Sequence, residues 1–174
     1  MTIQDWGSIG EAIGGIAVIA SLVYLMIEVR QNTVTARLAT VQTIADSFAN
    51  WTAALGRDPK LVELYVGGLG DSKTLSATEQ LQFDFLVLTL VRKLENAFAQ
   101  YRGGNVQEVE WRSWSVPIRL ILSTPGGKRW WAEWSGQLSD EFRTYVDGEH
   151  KDSIAPNQNH PVARAVREQL GMKA

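Results

Sequence analysis

Two histidines, His150 and His160, are the natural starting points for metal chemistry. Neither has a carboxylate or a second histidine three or four residues on, and the Glu-x-x-His pattern of di-iron bundles is absent. His150 lies between Glu149 and Asp152 in a polar stretch that reads as a solvated loop. Cysteine is missing altogether, which removes disulfides, thiolate metal sites and thiol nucleophiles together. No Gly-x-Ser-x-Gly turn offers an activated serine. The residues therefore predict no metal, no cofactor and no enzyme.

Residues 124 to 129, Thr-Pro-Gly-Gly-Lys-Arg, combine a helix start with two glycines and two cations. Free N–H groups at such a start can hold an anion. The segment lacks Walker spacing, and a threonine cap with surface charges is the simpler account. Lys128 and Arg129 stand beside Trp130, Trp131 and Trp134, so these five residues are candidates for lipid-headgroup or partner contact. The competing reading is a tryptophan-rich core or subunit contact. Arg92, Glu95 and Asn96 fall inside an apolar helical stretch, where polar groups pair with one another or with a neighbouring helix to set register.

These residues sit on elements that read as helices throughout. Ser76 and Glu79 form a capping box that opens a long helix through FDFLVLTLV (83–91) to a stop at Gly103-Gly104. Before it, a stripe of Val34, Leu38, Val41, Ala45, Phe48, Thr52 and Leu55 continues to Gly56-Arg57-Asp58-Pro59. A short helix with Leu61, Leu64 and Tyr65 is expected to stop at Gly67-Gly68. Asn105 is expected to cap a helix carrying Trp111, Trp114 and Ile118, with Pro117 kinking or breaking it. Thr124-Pro125 starts another helix, and Ser139 opens one through Tyr145. After Gly148 the chain turns polar, and Val162, Val166 and Leu170 can form a terminal helix that docks on a neighbour. No stretch alternates with period two, so no sheet is predicted.

The strongest signal is N-terminal. Ala12 to Ile27 contains sixteen residues without a charge. Counted from Ile9, a helix here is about 28 Å long, close to the hydrocarbon thickness of a bilayer. Trp6 and Tyr24 suit the two interfaces. The competing reading is a buried core helix; a cleaved signal lacks its basic start and cleavage site. Arg30 and Arg37 follow the run and no basic residue precedes it, which predicts the N-terminus outside and the rest of the chain in the cytoplasm. Along this helix Gly7, Gly10, Gly14, Ala17 and Ser21 recur at spacings of three and four, a seam that lets helices approach closely in lipid. The opposite face carries Ile9, Ile13, Ile16, Val23 and Ile27. Extending the seam reaches Tyr24, Glu28 and Gln31.

The fold expected is all-α, a single transmembrane helix continuing into a cytoplasmic multi-helix bundle. Its parts are an anchor (1–30), a helical domain (31–148) and a polar tail with a short terminal helix (149–174). The formal net charge of −2 gives no basic excess for nucleic acid.

Several of these motifs carry a resemblance. Ile9-Gly-Glu-Ala-Ile-Gly14, Ser21-Leu-Val-Tyr-Leu25 and Arg30-Gln-Asn-Thr33 come first; Leu94-Glu-Asn-Ala97, Tyr101-Arg102, Ser123-Thr-Pro-Gly-Gly127 with Trp130-Trp131, and Phe142-Arg-x-Tyr-Val146 follow. Over about residues 8 to 147 the chain resembles a widespread family of short, uncharacterised bacterial membrane proteins. The resemblance implies an anchored helical protein of the inner membrane and brings no catalytic residue. The leading expectation is a structural or interaction protein that self-associates through its anchor, in contact with membrane lipid and a homo-oligomer, its protein partner unidentified. The alternatives are a channel or transport accessory with Ser21, Glu28 and Gln31 near an oligomer axis, and a small-molecule or lipid-headgroup binder at the helices of Trp111, Trp114 and Trp130.

Overall fold

The computed structural model describes the backbone of residues 3–70, 75–152 and 160–169, and the side chains of 15, 17–70, 75–148 and 160–168. Every regular element among them is helical: α1 (Ile3–Arg57), α2 (Pro59–Leu69), α3 (Ala77–Arg102), α4 (Glu108–Trp114), α5 (Val116–Leu122), α6 (Pro125–Trp134), a short 3-10 turn (Ser135–Gln137), α7 (Asp140–Asp152) and α8 (Pro161–Gln169). The chain divides into two units, Met1–Val41 and Gln42–Ala174. In the first, the described residues belong to α1 alone.

Local chemistry sets most boundaries. A residue before proline is pushed out of the helical region, and Asp58 is extended (φ −118°, ψ 107°). Its carboxylate then accepts the Lys60 N–H at 2.9 Å, with Pro59 at the first helical turn of α2. The capping box at α3 forms in both directions: the Ser76 hydroxyl accepts the Glu79 N–H at 3.3 Å and Glu79 accepts the Ser76 N–H at 2.8 Å. Gly103 ends that helix, and Gly104 follows at φ +75°, a conformation that favours glycine. Pro117 falls in the first turn of α5, so the expected break separates α4 from α5 at Ser115.

Three boundary expectations are corrected. The stretch after Gly148 is not a loop from its start, because α7 continues through Glu149, His150 and Lys151 to Asp152. The helix with Leu64 and Tyr65 does not stop at Gly67-Gly68; α2 runs through both to Leu69. These glycines are buried, and a side chain at Gly68 would collide with the Phe83 ring. Neither ends the helix, and Gly68 serves close packing. Asn105 does not cap α4: the residue before that helix is Gln107, which makes no side-chain cap bond. The Asn105 amide instead donates to Gln100 Oε1 at 2.9 Å.

Within the second unit, α3 is the centre. Phe83, Val87, Leu90, Val91, Leu94, Ala97 and Phe98 are buried at spacings of three and four, the pattern of a helix with one face on the core, while Leu81, Phe85 and Thr89 on the other side are exposed, so the FDFLVLTLV stretch is not buried all round. Helix α2 lies beside α3, α6 and α8, and α4 also rests on α3. Val166 of α8 is buried.

Candidate functional site

Ring contacts run from Trp134 through Trp130, Trp131 and Phe142 to Phe98, Trp111 and Tyr145. Phe98 lies 5.4 Å from Trp111, 5.5 Å from Phe142 and 4.8 Å from Tyr145, measured between ring centres. Indole N–H groups tie separate helices together. Trp111 donates to Tyr145 Oη at 2.9 Å, Trp130 to the Asp84 carbonyl at 3.0 Å, Trp131 to Asp147 Oδ1 at 3.0 Å, and Trp51 to the Leu86 carbonyl at 3.3 Å. A tryptophan thereby buries a large apolar ring and satisfies its one donor across an interface.

This arrangement corrects part of the expected contact set. Trp130 is fully buried, so it cannot touch a headgroup, and it stacks on Trp134. Trp131 and Trp134 are half-buried and Lys128 is exposed. Arg129 turns inward: Nη2 donates to Asp84 Oδ1 at 2.7 Å and Nη1 to Glu133 at 2.6 Å. Gln80 donates to the same Asp84 oxygen at 3.0 Å. Asp84 thus binds α3 to α6 through both its carboxylate and its backbone. The five candidates therefore do not form one surface patch.

The Thr-Pro-Gly-Gly start of α6 is likewise occupied. Thr124 Oγ1 donates to the Ile121 carbonyl at 2.7 Å and accepts the Gly127 N–H at 3.1 Å. A Cβ on Gly126 would fall on the Gly68 carbonyl oxygen, and one on Gly127 on that of Ile121. The glycines let the start of α6 press against backbone. An anion would have to displace that contact, so the anion-site alternative finds no support in this geometry.

Arg92 and Glu95 do pair, at 2.7 Å, and both reach beyond α3. Glu95 Oε1 accepts the Ser139 N–H at 2.6 Å, capping α7, while Arg92 Nη2 donates to the Gln137 carbonyl at 2.8 Å. Burial opposes ionisation of Glu95, but the Ser139 N–H and the Arg92 guanidinium outweigh it and hold the carboxyl below its ordinary value. A lowered folded-state value stabilises the protein above the unfolded value of 4.5 and loses that stabilisation as pH falls through the folded value. Glu95→Gln is expected to cost about 1–3 kcal/mol at pH 7. The difference from the unsubstituted protein should shrink below about pH 4.5. Thermal unfolding from pH 7 to pH 3 measures both. Parallel curves across that range would assign Glu95 no such role.

Metal chemistry gains nothing from the structure: among the described residues no group of three or more His, Cys, Asp or Glu is placed to hold an ion. His160 Nδ1 accepts the Val162 N–H at the start of α8. The side chain of His150 lies outside the described residues.

The remaining unusual surface is on α1. Val18, Ile19, Leu22, Val23, Tyr24, Leu25, Met26, Ile27 and Val29 are 49 to 69 % exposed. Leu22 to Ile27 are six consecutive residues, so they point in every direction around the helix. Of the small-residue seam, Gly7, Gly10 and Gly14 lie outside the described side chains, and Ala17 and Ser21 are exposed. The Ser21 hydroxyl donates to the Ala17 carbonyl at 2.9 Å, the Tyr24 hydroxyl is hydrogen-bonded to Glu28, and Gln31 is exposed.

Among the described residues no helix is long and apolar enough to cross a membrane. The expected spanning helix is therefore not met there. From Ala17 to Ile27 the apolar stretch extends only about 16 Å at ~1.5 Å per residue, against about 30 Å of hydrocarbon. What fold and surface define is an all-helical protein with a packed second unit and an N-terminal helical stretch that is apolar on all sides. Comparison with protein-family models, with curated proteins and with solved structures finds no match to this chain.

Proposed function

We propose that this protein is a self-associating structural or interaction protein anchored in a bacterial inner membrane by its N-terminal helix. One observation carries the reading: Val18 to Val29 expose large apolar side chains all round α1. Each large side chain left in water forgoes on the order of 1 kcal/mol of burial. A helix apolar on one face needs one neighbour, whereas one apolar all round needs an enclosing apolar medium. Lipid supplies that medium, and the anchor counts the residues from Ile9 as well as those from Ala17. Arg30 and Arg37 then favour a cytoplasmic position for the rest of the chain.

Self-association rests on the seam of Gly7, Gly10, Gly14, Ala17 and Ser21, whose spacing allows close backbone approach in lipid. Gly10→Leu with Gly14→Leu is expected to reduce cross-linked oligomer in native membranes at least several-fold while the chain stays in the membrane fraction. An unchanged oligomer would remove the seam. Full-length protein found as a monomer in the supernatant after high-speed centrifugation would remove the anchor. The mass of the particle in nanodiscs then fixes the number of copies.

A further inference from the structure

We propose that Arg30 and Arg37 form a binding surface for anionic phospholipid headgroups beside the apolar stretch, an inference that rests on the membrane reading above. Both residues lie on α1, which continues without a break through this region. They are seven positions apart, which puts them on one face about 10 Å apart. Arg30 is exposed and Arg37 half-exposed, and neither has an ion-pair partner among the described residues. From Val29 through Ala45 the sequence contains no carboxylate. Glu28, the nearest acid, is two positions from Arg30 and nine from Arg37, which puts it on the opposite side of the helix from both. The hydroxyls of Thr33 and Thr35 donate back to the Val29 and Gln31 carbonyls at 2.8 and 3.0 Å. The two guanidinium groups are thus the unneutralised charges of this helix face.

Their position relative to the apolar stretch gives the charge a direction. Helical side chains lean toward the N-terminus. Basic residues placed after an apolar run therefore lean back toward it, and a long arginine side chain extends that reach. With Val29 at the edge of the hydrocarbon, Arg30 stands in the headgroup layer. Arg37 lies about 10 Å further along the helix than Arg30 and reaches back to the layer's outer side. A guanidinium can pair its N–H donors with the phosphodiester of either lipid, and its positive charge favours a headgroup of net negative charge over a zwitterionic one, whose own cation repels it.

The test uses the full-length protein reconstituted into vesicles of equal phosphatidylcholine and phosphatidylglycerol, extracted in mild detergent, with the retained lipids counted. Retained phosphatidylglycerol should exceed phosphatidylcholine by up to about 30-fold, roughly five-fold for each arginine. Arg30→Gln and Arg37→Gln should each lower the ratio about five-fold, and the double variant should abolish the preference. Arg37→Lys should keep most of it, and 0.5 M salt should weaken it. A protein that enters vesicles but retains the two lipids in bilayer proportion overturns this inference and leaves the anchor standing. A protein that does not enter vesicles overturns both.

Discussion

Gly126→Ala is expected to destabilise the protein by about 3 kcal/mol or more, at the upper end of the cost of overpacking a core. Gly126 is buried in the first turn of α6, where α6 meets α2. Its added Cβ would overlap the Gly68 carbonyl oxygen and lie within 2.8 Å of the carbonyl carbon. Both obstacles are backbone, so no side-chain rotation relieves them. The two helices must separate, which also loosens the ring of Phe83 from Gly68. For a chain of this size the change amounts to roughly 6–12 °C in Tm, read by circular dichroism of the full-length protein in mild detergent. Gly56→Ala is the matched control. Gly56 has nothing within 4 Å of an added Cβ, and alanine there is expected to leave stability unchanged or raise it by about 0.5 kcal/mol. Equal melting curves for Gly126→Ala and the unsubstituted protein would show that the helices do not meet this closely.

Trp130→Ala is expected to cost about 3–5 kcal/mol, the range for emptying a buried aromatic site. The ring is fully buried, stacks on Trp134 at 6.4 Å with planes 4° apart, and donates to the Asp84 carbonyl at 3.0 Å. Trp130→Phe keeps much of the ring and loses the donated bond, so its cost should be about 1–2 kcal/mol. The same melting experiment separates a core role for this residue from a surface one. A tryptophan on the surface, waiting for a headgroup or a partner, would give a change within about 0.5 kcal/mol on truncation. A small effect for Trp130→Ala would therefore return Trp130 to the surface set.

Much of the candidate chemistry in the sequence resolved into packing, for reasons specific to each residue. Lys128 and Arg129 are neighbours in sequence, yet one faces solvent and the other spans Asp84 and Glu133. Helical geometry turns successive residues about a quarter turn apart, so adjacency says nothing of shared exposure. Arg92 and Glu95 were readable as a pair because they are one turn apart. Their further partners, Gln137 and Ser139, lie 45 and 44 positions away and could not be read from spacing. Gly67-Gly68 resembled a stop because glycine commonly ends helices. The same residue type also permits close approach, and only the packed neighbour, here the Phe83 ring against Gly68, tells the two uses apart.

From residue order alone came the all-helical class, the capping box of Ser76 and Glu79, the starts at Asp58-Pro59 and Thr124-Pro125, and the apolar character of the stretch ending at Ile27. Each depends on atoms within about one helical turn, so sequence spacing specifies it directly. Tertiary structure alone decided that Trp130 is core, that Arg129 faces Asp84, that Glu95 caps α7 and that Gly126 admits α6 onto α2. Those choices depend on how helices distant along the chain cross, and that follows from the sum of many side-chain contacts rather than from any local pattern.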